Sequence, residues 1–116
     1  MKKHTIPFII LLFLLSSLTA CAEKEQMASG AKLINKDQFI FTASGEFKPF
    51  SYMNDDMTMT GFDIEVGEAI AEKLGLEPVQ KQMKFKGIVE GVKTGRADVA
   101  VASHTINEAR SKFVLF

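Results

Sequence analysis

Arg110 is the residue with the clearest chemical potential in this sequence of 116 amino acids. It closes the stretch "VASHTINEAR", in which an apolar run leads to Thr105 and then to a predicted helix start with Asn107 as its cap. The carboxyl edge of a parallel sheet is where α/β proteins bind ligands, and free N–H groups at a helix start favour anions. The guanidinium fork of Arg110 can grip a carboxylate through two parallel hydrogen bonds, with the Thr105 hydroxyl beside it. The residues therefore predict a site for an α-carboxylate, and a solvated surface arginine is the alternative.

Other residue types that carry chemistry do not combine into a second site. His104 has only His4 as a possible histidine partner. Asp55 and Asp56 belong to the turn-forming stretch "NDDMTMTG", where adjacent side chains diverge. The sequence contains no Gly-rich phosphate loop, no serine nucleophile elbow and no Cys-x-x-Cys pair. We therefore predict a protein that is not an enzyme and has no catalytic residues, no metal site and no cofactor.

Residues 1–20 have the layout of an export signal. A basic start leads into the apolar stretch "IPFIILLFLLSSL", and small residues then precede Cys21, the only cysteine. The apolar stretch is short for an ordinary membrane span, and an uncleaved anchor helix is the alternative. Residues 21–36 are small, polar and charged, which predicts a flexible tether.

Residues 37–116 predict an α/β fold with a parallel sheet and flanking helices. The strand-like runs "QFIFTAS" and "EPVQKQMKF" alternate with predicted helices over residues 61–75 and 86–95, and "ADVAVAS" follows as a fully buried strand. This strand–helix–strand–helix–strand order favours right-handed crossovers between parallel strands. The 14 basic and 14 acidic side chains balance, so no basic excess indicates a nucleic-acid partner.

The first predicted helix carries an apolar residue at every fourth position. Its expected core-facing stripe consists of Phe62, Val66, Ile70 and Leu74. Gly75 suits a left-handed C-terminal cap.

Five stretches of the sequence resemble, in order, the bacterial extracellular solute-binding proteins of family 3, which serve polar amino-acid ABC importers. "GFDIEVGEAIAEKLG" is similar to the signature of that family. "FKPFSY", "MKFKGIVEGVKTGRADVAVA" and "SHTINEAR" are similar to its Pro-Phe loop, its strand–helix–strand block and its Thr-Ile-Thr-x-x-Arg segment. The resemblance covers residues 38–116 and implies one incomplete lobe of a type 2 periplasmic-binding-protein-like fold.

The resemblance also implies roles for six residues. Arg110 matches the position that binds the ligand carboxylate, and Thr105 matches one that contacts the carboxylate and the ammonium. Ser103 matches a position whose backbone carbonyl accepts from the ammonium. The remaining three contact the ligand side chain: Phe47 and Phe85 as an aromatic sandwich, with ordinary core as the alternative, and Ser44 at a strand end.

The fifth stretch, "LTAC", resembles the lipobox of bacterial lipoproteins. In such proteins the cysteine is diacylated and becomes the first mature residue, so the resemblance implies a lipid on Cys21. Two acyl chains give durable membrane attachment. We expect the protein to be anchored on the extracytoplasmic face of the cell membrane of a Gram-positive bacterium.

The resemblance implies a free amino acid and the ABC permease subunits as partners. A polar amino acid is the default ligand, and cystine is the alternative. Family members have a second lobe that is absent here, and Leu115 stands where an aspartate is expected, so we expect a truncated product or an incomplete record that binds weakly or undetectably. Other possible functions are a dehydratase-like or murein-enzyme-associated member of the fold, and an interaction fragment without a transport role.

Overall fold

The computed structural model describes residues 32–116, and the predicted signal and the tether up to residue 31 lie outside the described residues. The strands, in chain order, are β1 (Gln38–Ala43), β2 (Glu46–Phe47), β3 (Ser51–Met53), β4 (Met59–Thr60), β5 (Glu77–Gln82) and β6 (Val99–Ala100). The helices are α1 (Phe62–Leu74), α2 (Ile88–Lys93) and α3 (Glu108–Ser111), and a 3₁₀ turn at Phe85–Gly87 leads into α2.

β1 is the middle strand of a parallel sheet with the order β5-β1-β6. Its apolar residues suit a strand covered on both faces, and Phe39, Ile40 and Phe41 are each at most 7% exposed. The register pairs Phe41 with Gln80 on one side and Val99 on the other. The predicted α/β fold with a parallel sheet and flanking helices is confirmed.

The apolar run "ADVAVAS" supplies the parallel strand β6, but the prediction that this run is fully buried is wrong. Only Val99 and Ala100 pair with β1, and both are half-buried. In the described part of the chain β6 is an outer strand of its sheet. Its residues also line an apolar groove of about 660 Å³, which leaves them partly exposed.

Asp98 joins β6 to β1 and to the segment that precedes β1. Its backbone N–H donates to the Ile40 carbonyl at 2.7 Å. Its carboxylate accepts the N–H of Ile40 and the N–H of Ile34, each at 2.8 Å. The Asp98 side chain therefore ties the segment before β1 to the sheet at Ile34.

Helix α1 is one residue shorter at each end than the predicted range 61–75, because Gly61 and Gly75 are its caps. Gly75 has the predicted left-handed conformation, with a φ of 66°. The predicted stripe is wrong: Phe62, Ile70 and Leu74 are 61%, 38% and 41% exposed, and Val66 is only half-buried. The buried residues of the helix are Asp63, Ile64, Gly67 and Ala71.

The reason for this rotation of α1 is the close approach of Gly67 to β1. A Cβ atom at residue 67 would lie 2.6 Å from the Phe41 ring. Because glycine has no side chain, the helix backbone packs directly on that ring, and the face that carries Gly67 becomes the buried face. Ile64 and Ala71, one turn away on either side, are consequently 3% and 0% exposed.

The strands β2, β3 and β4 form a small antiparallel sheet. β3 and β4 are joined by a turn in which the Asn54 side chain accepts from the Thr58 N–H at 2.9 Å and from its hydroxyl at 2.8 Å. Asp55 and Asp56 are exposed in this turn. The predicted turn between two short extended arms is confirmed.

Candidate functional site

Arg110 lies in α3, and Asn107 caps this helical turn as predicted. The side-chain oxygen of Asn107 accepts the backbone N–H of Arg110 at 2.9 Å. The Nη1 group of Arg110 donates to the backbone carbonyl of Thr105 at 2.6 Å. The loop from residue 105 to residue 110 is thus closed by its own side chains, and Arg110 and Thr105 are brought together.

The helix contributes less to anion binding than the sequence indicated. α3 has only four residues, and the macrodipole of a helix depends on the summed dipoles of aligned peptide units. One N–H group at its start is already bound to Asn107. The guanidinium of Arg110 is therefore the main anion-binding group of this loop.

Ser103 precedes this loop and is fixed by a long-range contact that the sequence did not reveal. Its φ is +49°, a left-handed conformation. Its hydroxyl donates to both carboxylate oxygens of Asp63, at 3.0 and 3.2 Å. Asp63 is 4% exposed in the first turn of α1. The Ser103 hydroxyl is therefore engaged within the protein, and the role predicted for its backbone carbonyl stays a prediction.

Phe85 lies between the loop of Arg110 and the residue that follows Ser103. Its ring stacks on the His104 imidazole with a centroid distance of 4.3 Å and an interplanar angle of 22°. The guanidinium carbon of Arg110 lies 5.8 Å from the centroid of the Phe85 ring. The three side chains share a cavity of about 370 Å³, lined by Phe85, Lys86, Val89, Glu90, His104, Ala109, Arg110 and Phe113.

His104 is a component of this cavity that the sequence did not identify as a site residue. Burial, and after it the charge of Arg110, lower the pKa of His104 below its ordinary value of 6.5, while the Ala102 backbone and the Asp63 charge act in the opposite direction. The Nδ1 atom is buried and has no partner of good hydrogen-bond geometry within residues 32–116. A signal for this role was available, because an imidazole directly before Thr105 stands at the carboxyl end of a predicted strand.

Phe47 has a different set of partners. Its ring stacks on Phe50 with centroids 5.0 Å apart, and Phe50 makes an edge-to-face contact with Phe62 at 6.4 Å. Phe47 and Phe62 are 52% and 61% exposed. The structure thus places Phe47 in an aromatic row that extends from β2 to the start of α1, whereas Phe85 packs against His104. The sandwich of Phe47 and Phe85 around a ligand stays a prediction.

Ser44 lies just past the carboxyl end of β1 and is 5% exposed. Its hydroxyl is 3.3 Å from the Ser51 hydroxyl and accepts the Glu46 N–H at 3.3 Å. The Gln82 side chain donates to the Ser44 carbonyl at 3.2 Å. These contacts fix the connection between β1 and β2, and the contact predicted between Ser44 and a ligand side chain stays a prediction.

Two further features of residues 32–116 bear on the kind of site. No three histidine, cysteine, aspartate or glutamate side chains in this part of the chain lie close enough together to hold a metal ion. No helix within the same residues combines the length and the apolar character required to cross a membrane.

The family model of the bacterial extracellular solute-binding proteins, family 3, matches residues 39–116. The L-cystine-binding protein TcyJ of Escherichia coli is 31% identical over 81 residues, which cover 70% of this chain and 30% of that protein. The arginine-binding extracellular protein ArtP of Bacillus subtilis is 32% identical over 100 residues, covering 86% of this chain and 37% of that protein. The chain thus spans about a third of the length of these curated relatives.

A solved structure and an enzyme are also similar to the chain. The arginine-bound form of domain 1 from TmArgBP, an arginine-binding protein of T. maritima, has a TM-score of 0.63 and 30% identity, with 66% of this chain and 60% of that chain covered. The cyclohexadienyl dehydratase of Pseudomonas aeruginosa is 24% identical over 114 residues, covering 98% of this chain and 41% of the enzyme.

Proposed function

Because the chain belongs to family 3 of the bacterial extracellular solute-binding proteins, we propose that it is the substrate-binding component, or part of one, of an amino-acid ABC importer. The observation that carries the proposal is the loop in which Arg110 is held by Asn107 and by the Thr105 carbonyl. This loop follows a parallel strand, at the sheet edge where α/β proteins bind ligands.

The proposed pose places the ligand α-carboxylate on the free N–H groups of the Arg110 guanidinium. Thr105 contributes its hydroxyl, and the Ser103 carbonyl accepts from the α-ammonium group. Carboxylates suit this position because a guanidinium presents parallel donors in a fixed plane. The hydrogen bond of Nη1 to Thr105 uses only one of the five N–H donors of Arg110.

The ligand side chain is proposed to lie against Phe85 and to extend towards Phe47. Ser44 is the third proposed contact. The relatives are named for L-cystine and arginine, which supports a polar amino acid or cystine as the ligand. In this pose Arg110 and Thr105 contact only the α-carboxylate and α-ammonium groups, so they select for amino acids as a class. Selectivity for the ligand side chain depends on other residues.

Affinity is proposed to depend on how much of the ligand the chain encloses. The Arg110 loop lines one side of an open cavity, and a partly enclosed carboxylate remains screened by water. The arginine-bound domain 1 from TmArgBP supports binding by a single lobe. We therefore propose weak but measurable binding by this chain, in the range that NMR titration detects.

Membrane attachment is proposed through a lipid on Cys21, with residues 21–36 as a tether on the extracytoplasmic side. The supporting observations are the lipobox-like "LTAC" and the absence of any second cysteine in the sequence. The ABC permease subunits are the proposed protein partners. A Gram-positive source fits this mode of anchoring and stays a proposal.

A test of the proposed site uses the two arginines of the sequence as a matched pair. The full chain, Arg110→Lys and Arg96→Lys are titrated with each amino acid and with cystine while ¹H–¹⁵N spectra are recorded. Arg110→Lys is expected to weaken binding by about 10- to 100-fold, because a charged hydrogen bond contributes about 1.5–3 kcal/mol. Arg96 is exposed and away from the cavity, so Arg96→Lys is expected to bind like the wild type. Equal affinity of the two variants would overturn the role of Arg110.

A second candidate function, a dehydratase, is favoured by one observation, the similarity to the cyclohexadienyl dehydratase. Incubation of the full chain with a cyclohexadienyl substrate separates the two functions. Turnover that Arg110→Lys abolishes would establish the enzyme, whereas unchanged substrate together with amino-acid binding supports the binding protein.

A further inference from the structure

Three elements meet at the Phe85 ring. Phe85 begins the 3₁₀ turn before α2, His104 follows β6, and Arg110 lies in α3. The His104 imidazole covers the ring at 4.3 Å and the Arg110 guanidinium approaches it at 5.8 Å. Phe85 is still 43% exposed, so part of its surface remains available to a ligand. The Phe85 ring therefore packs directly on an imidazole, a group that changes charge near neutral pH.

The charged groups around His104 come from each element packed against it. Those that share a cavity or groove with it, or act on its charge, are Lys86 in the 3₁₀ turn, Glu90 and Lys93 in α2, Asp98 before β6, Arg110 in α3 and Asp63 in α1. Arg110 is the strongest of these influences, and it opposes a positive charge on the imidazole. Asp63, which favours that charge, already accepts two contacts from the Ser103 hydroxyl.

The hydrogen bonding of His104 also favours the neutral ring. In the charged form both ring nitrogens carry protons and act as donors. Nδ1 is buried and makes no hydrogen bond of good geometry in the described part of the chain. The Ala102 backbone favours the charged form but only partly offsets burial and Arg110, so the charged form would leave a buried donor poorly paired. An unpaired buried donor is costly, and rotation of the ring towards water would relieve the cost. Such a rotation breaks the stack with Phe85.

We propose that His104 is a positioning residue of the amino-acid site, which holds the Phe85 ring in its binding orientation only while the imidazole is neutral. The proposal rests on the proposed function, because it takes Phe85 to be a ligand contact. It makes ligand affinity fall on acidification. The opposite sign would result if a charged His104 acted mainly by attracting the ligand carboxylate, so the sign of the effect distinguishes positioning from simple attraction.

The first experiment measures the affinity of the full chain for L-arginine by NMR titration at pH 7.5 and pH 5.5. The wild type is expected to bind more weakly at pH 5.5 than at pH 7.5, by at most about tenfold, because the pKa of His104 lies below 6.5 and the binding of one proton changes an equilibrium by up to tenfold per pH unit below the pKa. His104→Phe keeps an aromatic ring that cannot be protonated and is expected to bind equally at both pH values. His104→Leu lacks the ring and is expected to bind more weakly at both. An affinity that rises on acidification, or a His104→Phe variant that follows the wild type, overturns the proposal.

The second experiment needs no ligand. The ring protons of His104 and Phe85 are followed by NMR from pH 8 to pH 5 in the unliganded full chain. The Phe85 resonances are expected to shift with the same midpoint as His104, below pH 6.5. Phe85 resonances that do not follow the His104 titration, or a midpoint above 6.5, overturn the proposal. A third outcome is possible, in which the Phe85 resonances follow the His104 titration but L-arginine does not bind at pH 7.5. That result would count against arginine as the ligand and would leave the positioning of Phe85 by His104 established.

Discussion

The Ser103 hydroxyl donates to both carboxylate oxygens of Asp63, at 3.0 and 3.2 Å, across 40 positions of the sequence. This contact joins the segment after β6, where the proposed ligand site begins, to the first turn of α1. Since Asp63 is 4% exposed, its carboxylate depends on this donor inside the protein. The geometry of the Arg110 loop and the stability of the fold are therefore linked at one hydrogen-bonded pair.

Substitution of Ser103 by alanine is expected to lower the free energy of unfolding by about 1–3 kcal/mol, because it removes the side-chain donor that the buried Asp63 carboxylate has within residues 32–116. Urea denaturation of the full chain measures the change. Ser111→Ala is the matched control: the Ser111 hydroxyl donates to the Asn107 carbonyl at 2.9 Å at an exposed position, and its loss is expected to change stability by less than about 0.5 kcal/mol. Equal effects of the two substitutions would contradict the role of the Asp63 contact.

Gly67→Ala is expected to destabilise the fold by about 1–3 kcal/mol, because the added methyl group would overlap the buried Phe41 ring. Gly87→Ala provides the comparison, since none of the atoms considered lies within 4 Å of a Cβ built at residue 87 and its φ of −98° suits alanine. Thermal denaturation followed by circular dichroism measures both variants. A Gly67→Ala variant as stable as Gly87→Ala would show that α1 does not need the close approach to β1.

Stability is expected to fall as the pH drops through the range in which His104 titrates. Because burial and Arg110 lower the pKa of His104 in the folded chain, the unfolded chain binds its proton first. The loss of stability therefore begins near pH 6.5 and is complete once the pH is below the pKa of the folded state. His104→Phe removes this proton uptake. Urea denaturation at pH 7.5 and 5.5 is expected to show a larger decrease for the wild type than for His104→Phe, and parallel decreases would refute the argument.

Loss of the cap at Asn107 is expected to disturb the ligand site more than the fold. Asn107→Ala removes the acceptor for the Arg110 N–H and is expected to destabilise the α3 turn by about 0.5–2 kcal/mol. Asn107→Ser keeps a capping oxygen and serves as the control. The amino-acid affinity of Asn107→Ala, measured by NMR titration, is expected to fall several-fold below that of Asn107→Ser. Wild-type affinity in Asn107→Ala would indicate that Arg110 is oriented without the cap.

The local features of the fold were predictable because they depend on residues close together in sequence. The bounds of α1, the cap at Gly75 and the cap at Asn107 each follow from a few neighbouring side chains. The parallel order of the strands followed from the alternation of strands and helices. The Arg110 and Thr105 pair was predictable for the same reason, since five positions separate them.

The features that were missed depend on contacts between distant parts of the chain. Spacing along α1 indicated an apolar stripe, but the packing of Gly67 on the Phe41 ring determined which face is buried. The contact between Ser103 and Asp63 and the stack of His104 on Phe85 both arise only when separate elements pack together. No pattern within a single segment carries that information.

The hydrogen bond from Arg110 to the Thr105 carbonyl has an entropic consequence for ligand capture. A free arginine side chain loses about 2 kcal/mol of rotamer entropy when it is fixed. In this chain much of that loss is incurred on folding, because the guanidinium is already held by its own loop. A ligand carboxylate then meets a guanidinium that is already oriented, which lowers the entropic cost of binding. The planar fork of donors matches a two-oxygen anion better than a spherical one such as chloride.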